Sequence, residues 1–201
     1  MEPVQREFAS QRLRLRYADW GNDGAPALIL LHGGRDHCRN WDDTARALRA
    51  DWHVVAPDLR GHGDSDWANT GHYGMADYVL DLAALIRHLG RDRVAIVAHS
   101  LGGNVALRYA GVFPETVSAL AAIEGLGPGP RNPPPADATP AHARLGKWAD
   151  LMRAAERKPH RPYATEQEAI ERMRAAHPNL PPDLAAHLAR HGSRRGADGA
   201  W

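Results

Sequence analysis

The sequence has one cysteine, Cys38, in 201 residues. No intramolecular disulfide framework can form, and a lone thiol fits a reducing compartment, so a cytoplasmic location is expected. An excess of one charge is also lacking, with 25 Lys and Arg against 24 Asp and Glu for a formal net charge of +1. Such a chain has no broad positive field for gathering phosphates, so nucleic acid is not an expected partner. Long apolar runs are missing too: no stretch approaches the ~18–20 apolar residues of a membrane span. The segment Met1–Ser10 carries charges at Glu2, Arg6 and Glu7 and reads as neither a signal peptide nor an anchor. A soluble protein without a membrane partner is expected. There is no G-x-G-x-x-G or P-loop motif, so no nucleotide or flavin cofactor is expected, and no internal repeat occurs.

Apolar residues make up 43% of the chain and charged residues 24%, close to ordinary globular values, so it has the means to build a core. Its length suits one domain with a subdomain attached. Leu13, Leu15 and Tyr17 alternate with Arg12, Arg14 and Arg16, the period of a half-buried strand near a sheet edge. Four apolar runs without alternation follow: Ala27–Leu31, His53–Ala56, Val94–Ala98 and Val117–Ile123. They read as parallel strands buried on both faces. Met75, Val79, Leu82, Ile86 and Leu89 lay one apolar stripe along a helix that Gly90 stops. A shorter helix is expected over Trp41–Arg49, and another from Leu101 to about Ala110, ended by Gly111 and Pro114. The alternation predicts an α/β fold, a mostly parallel sheet with helices on both faces.

After Ile123 the pattern changes. Leu126–Pro140 holds six prolines with Gly127 and Gly129, a boundary that divides the chain into a core, 1–125, and a helical cap, 126–201. Three cap helices are expected. The first carries Leu145, Trp148, Met152 and Ala155; the second opens with a Thr165-x-x-Glu168 capping box; the last follows Pro181-Pro182.

Two stretches point to chemistry. Val94-Ala-Ile-Val-Ala98-His99-Ser100-Leu101-Gly102-Gly103 is a buried strand running into a serine flanked by small residues and then a helix, matching the nucleophile elbow G-x-S-x-G with Ala98 at its first position. A strained strand-to-helix turn exposes the hydroxyl, and small neighbours are needed because large ones would collide with it. A helix-capping serine is the plainer alternative. Leu31-His32-Gly33-Gly34 turns the chain after the first buried run, and the Gly34 and Leu101 amides are candidate oxyanion donors. A plain glycine turn is the alternative there.

These stretches, together with Asp58-Leu-Arg60-Gly61-His62-Gly63-Asp64-Ser65 and Arg108-Tyr-Ala-Gly-Val-Phe-Pro-Glu115, resemble the α/β-hydrolase superfamily, in the capped branch of serine carboxylesterases, haloalkane dehalogenases and epoxide hydrolases. The likeness covers Leu13 to about Gly125. It implies a serine hydrolase acting on a small ester or related carbonyl substrate, with Ser100 as nucleophile and Gly34 supplying an oxyanion amide. Glu124, after the last strand-like run, is the candidate acid. His32, His99 and Trp148 are candidate substrate-pocket residues. The packing of His62, Asp64 and Asp66 does not make a metal site, since no further ligand cluster accompanies it; no metal and no cofactor are expected.

The family order places an acid and then a histidine after the nucleophile, the histidine on a loop beyond the last strand. Here His142, His160, His177, His187 and His191 all fall in the cap or its tail. The family fold has about eight strands and this chain about six, so the final strands with their acid and histidine loops are expected to be missing and catalysis impaired. A catalytically silent binding module and a fragment without function of its own are the alternatives. The strand ending at Ile123 would then be an unpaired apolar edge, open to self-association.

Overall fold

Four runs of four to seven residues, almost all Ala, Val, Ile and Leu, have no polar face to offer water, and they pair side by side in the middle and at one end of a single sheet. The computed structural model describes residues 2–69, 71–126, 139–157, 162–196, 199 and 201. Its strands are β1 (Val4–Ser10), β2 (Leu13–Asp19), β3 (Ala27–Leu31), β4 (His53–Pro57), β5 (Val94–His99) and β6 (Val117–Ile123), in the spatial order β1-β2-β4-β3-β5-β6. β3 pairs in parallel with β4 and β5, and β5 with β6, whereas β1 and β2 form an antiparallel hairpin whose second strand joins β4. The alternating strand β2 is thus near the sheet edge, as its pattern implied, with β1 outside it.

The hairpin turn, Gln11 and Arg12, takes positive φ at both residues, 47° and 69°, without glycine or asparagine, which left β1 without a turn signal. β3 and β4 are buried throughout. β6 is not: its residues are half-buried or exposed, because only β5 pairs with it among the described residues. The expectation of burial on both faces was drawn from apolar composition and fails there; Ile123 is half exposed.

Helices α1 (Asp42–Leu48), α2 (Met75–His88) and α3 (Leu101–Val112) return the chain between parallel strands. α2 buries Tyr78, Val79, Leu82, Leu85 and Ile86 against the sheet and ends where Gly90 takes φ 63°. α3 runs through Gly111, so Pro114 sets its limit. Beyond the core come α4 (Ala141–Glu156), α5 (Glu166–Ala176) and α6 (Pro182–Gly192). Thr165 Oγ1 accepts the Glu168 amide at 3.1 Å, the expected start of α5. α5 and α6 pack together as a helical cap, and α6 rests on the segment after β3. Most of the boundary stretch, 127–138, and His160 lie outside the described residues. Among the described residues no helix is long and apolar enough to cross a membrane.

Candidate active site

At the carboxyl end of β5 the backbone turns at one residue. Ser100 has φ 48° and ψ −109°, and α3 starts at Leu101. A non-glycine residue held there costs roughly 1–3 kcal/mol, so its neighbours must hold it in place. The Ser100 amide donates to Ile123 O at 3.0 Å, and the Asn104 amide donates to Ser100 O at 3.1 Å. The glycines that follow are steric necessities. A Cβ on Gly102 would stand 2.7 Å from the carbonyl oxygens of Leu31 and His32, and one on Gly103 would stand 2.8 Å from Glu124 O. The first turn of α3 is thus wedged between the ends of β3 and β6. The Ser100 side chain caps no helix amide, so it does not play the capping role that strand-to-helix serines usually play. Its hydroxyl stands at the partially positive N-terminus of a 12-residue helix.

The glycine turn after β3 lies against this elbow. A Cβ on Gly33 would be 3.4 Å from Ser100 Cβ and 2.9 Å from His99 Nδ1, and one on Gly34 would be 3.8 Å from Leu101 Cδ2. Gly34 and Leu101, the two candidate oxyanion residues, are therefore neighbours in space. His32 sits behind them, fully buried. Its Nε2 accepts the Leu59 amide at 2.9 Å, which places the proton on Nδ1, and that proton goes to Gly33 O at 2.7 Å. Burial pushes its pKa down to about 4. With no exposed surface and both nitrogens occupied, His32 joins two loops and is not a substrate contact.

Asp58 holds the same loops from below. Its Oδ1 accepts the Cys38 amide at 2.7 Å and its Oδ2 the Asp64 amide at 2.9 Å, while its carbonyl accepts the Ser65 hydroxyl at 2.7 Å. Burial, with the Asp58 carboxylate beside it, drives the Cys38 thiol pKa up, so the lone cysteine is an inert packing residue. Arg60, almost wholly buried, is held bidentate by Asp81 at 2.6 and 2.7 Å and donates to His72 O at 2.8 Å. The Asp58–Asp66 loop is thus built of internal bonds. The Cys38 and Asp81 partners were not evident from the sequence, because these bonds join segments about 20 residues apart along the chain.

Glu124 follows β6 with φ 62°, its side chain largely exposed and one carboxylate oxygen 3.9 Å from His99 Nε2. His99, half exposed, lies over Gly33 at the rim of the elbow. Among the described residues no imidazole is hydrogen-bonded to the Ser100 hydroxyl. His187 and His191 are instead in α6, against the segment 37–42: His187 Nε2 lies 3.1 Å from Arg39 O and 3.1 Å from Asp42 Oδ2. Trp148 is more than half exposed on α4, as are Leu145 and Leu151, so the structure does not place it in a pocket with Ser100.

Two groups among the described residues bring three metal-ligand side chains together, Asp42 with His187 and His191, and Asp19 with Asp23 and His53. In each, arginine already fills the space. Arg39 Nε grips both Asp42 oxygens at 2.8 and 3.0 Å and its NH1 lies 3.5 Å from His191 Nδ1. Arg91 donates to His53 Nδ1 at 3.2 Å, which leaves the proton on Nε2 and directs it at Asp19, 3.0 Å away. A metal shared with Asp19 and Asp23 would need Nε2 bare and the proton on Nδ1, the nitrogen that accepts from Arg91.

A cleft of about 1320 Å³ opens between the segment 35–40, the 61–67 loop and the cap helices α5 and α6. Neither Gly33, Gly34, Ser100 nor Leu101 is among its lining residues.

These features match a known family. A family model described as alpha/beta hydrolase fold matches residues 26–171. The chain belongs to the alpha/beta hydrolase fold family. A serine hydrolase-like protein of Danio rerio is 31% identical over 194 residues, 93% of this chain and 57% of its own. A soluble epoxide hydrolase of Corynebacterium sp. is 39% identical over 97 residues, 48% of this chain and 33% of its own. Among solved structures, a hypothetical protein of Pseudomonas aeruginosa PAO1 has a TM-score of 0.81 at 28% identity, over 100% of this chain and 69% of that one. E-2-(acetamidomethylene)succinate hydrolase has a TM-score of 0.74 at 26% identity, over 98% and 66%. The chain spans between 30% and 57% of the length of curated relatives such as these.

Proposed function

We propose that this alpha/beta hydrolase uses Ser100 to attack a small ester or related carbonyl substrate. The observation that supports this reading is the backbone of Ser100, strained at φ 48° with a side chain that caps nothing at the head of α3. Attack by Oγ on the carbonyl carbon would move negative charge onto the substrate oxygen, where the amides of Gly34 and Leu101 receive it. Relatives named as a serine hydrolase-like protein and as epoxide hydrolases agree with the hydrolytic class.

A serine hydroxyl needs a base to take its proton, and Glu124 would orient such a histidine. Because no imidazole is bonded to Oγ among the described residues, turnover by this chain is expected to be slow. That observation also favours a second reading, a binding module that keeps the pocket without the chemistry. A fluorophosphonate probe separates the two. Phosphonylation of Ser100 with loss of fluoride, abolished in Ser100→Ala and located by peptide mass spectrometry, is the expected result. A protein that stays unlabelled over hours while still folded is the binding module.

The exposed edge of β6 belongs to the same proposal. A second copy adding to that edge is expected to give concentration-dependent sedimentation. A single monomer boundary across the micromolar range would remove self-association from the account.

A further inference from the structure

We propose that Asp23-Gly24, in the turn between β2 and β3, is a site of spontaneous covalent modification, where the aspartyl link rearranges through a cyclic imide to an isoaspartyl link with the help of Arg91. The inference is independent of the hydrolase reading. The sequence holds two Asp-Gly pairs, this one and Asp198-Gly199, and Asp198 lies outside the described residues. The rearrangement is an attack by the next residue's amide nitrogen on the aspartate side chain. A glycine there has no Cβ to stand in the way.

The turn leaves that nitrogen free. The Ala25 amide donates to Asn22 O at 2.9 Å and closes a four-residue turn with Asp23 and Gly24 at its centre. Among the described residues the Gly24 amide donates to no backbone acceptor. Both central residues are exposed, the Asp23 side chain by 76%, so solvent reaches the two reacting groups and can carry protons to and from them.

Arg91 supplies the activation. An amide nitrogen attacks only after losing its proton, and peptide resonance puts much of the resulting negative charge on the carbonyl oxygen of the same peptide, here Asp23 O. Arg91 NH2 donates to that oxygen, where a cation stabilises the anion as an oxyanion hole does. The arginine also donates to His53 Nδ1 at 3.2 Å, and the His53 Nε2 proton faces Asp19 at 3.0 Å and Asp23 Oδ1 at 3.5 Å. The amide thus lies beside a cation and the carboxyl beside a proton donor. In the step itself the Gly24 proton goes to solvent and the bond from Gly24 N to Asp23 Cγ forms. The carboxyl, in its acid form, loses its hydroxyl, which takes up a proton and leaves as water. Water then reopens the ring, and opening at the α-carbonyl gives a main chain one methylene longer. The lengthened turn displaces the oxygen that Arg91 holds, so the change is felt at the buried Asp19–His53 pair.

The test incubates the folded chain for weeks at mildly acidic pH and body temperature beside a synthetic peptide spanning Trp20 to Ala27. Mass spectrometry follows the Asp23 segment for the imide, lighter by one water, and electron-transfer fragmentation detects the isoaspartyl product. The folded chain is expected to convert faster than the peptide. Arg91→Met should slow it roughly tenfold, the worth of one charge-assisted hydrogen bond. Gly24→Ala, whose methyl meets nothing within 4 Å, should keep the fold and nearly stop the reaction. A folded chain that converts more slowly than the peptide overturns the inference, as does an Arg91→Met protein that converts at the original rate or faster. The peptide comparison needs no variant, so it decides even where Arg91→Met fails to fold.

Discussion

Asp81→Asn is expected to remove about 3–5 kcal/mol of folding stability, the effect of stranding one partner of a buried ion pair. Arg60 is 1% exposed, and two of its donors end on the Asp81 carboxylate. Asparagine keeps the shape but loses the charge and one acceptor, leaving a guanidinium in the interior with Asp77, 3.7 Å from its NH1, as the nearest replacement. A domain of this size has ~5–15 kcal/mol in all, so the variant should unfold at a much lower urea midpoint with little change in slope. Replacing both partners with apolar residues of similar volume should recover part of the loss. A single-variant loss below ~1 kcal/mol would mean that the ion pair is solvated in solution.

The second large effect concerns the elbow. Gly125 has φ 75°, and a Cβ there would stand 2.1 Å from Ser100 O. Gly125→Ala must move either the Ser100 peptide or the end of β6. The left-handed conformation alone costs an alanine about 1–2 kcal/mol, and the clash adds to it. Lower thermal stability and loss of Ser100 labelling are expected together. Gly111→Ala is the contrasting control: it lies inside α3 with nothing within 4 Å of the new methyl, and should stabilise by about 0.5–1 kcal/mol. If both variants melt alike, close packing does not hold the elbow in shape.

Much of the core was legible from the chain alone. The apolar runs of β3, β4 and β5, the stripe of α2 and the small residues around Ser100 are local patterns, and the local physics that makes them also makes the structure. β1 was missed because its turn residues carry side chains that turns with positive φ usually avoid. β6 is the edge strand the strand count implied, yet its faces are not both buried, because composition reports what a strand is able to bury and not what is available to cover it. His32 and Trp148 show the same limit from both sides, one sealed in the interior and the other left in solvent. The cleft was invisible for a simpler reason: it joins residues 35–40, 61–67 and 173–194, and no window of sequence contains them all.

The Asp58 carboxylate and the His32 ring together tie the segment after β3 to the segment after β4. Neither side chain has any reason to meet a ligand, yet the turn bearing Gly34 cannot shift without carrying the 58–66 loop with it. The two behave as one rigid plate, so the placement of Gly34, proposed to supply an oxyanion amide, is inherited from His32 and Asp58.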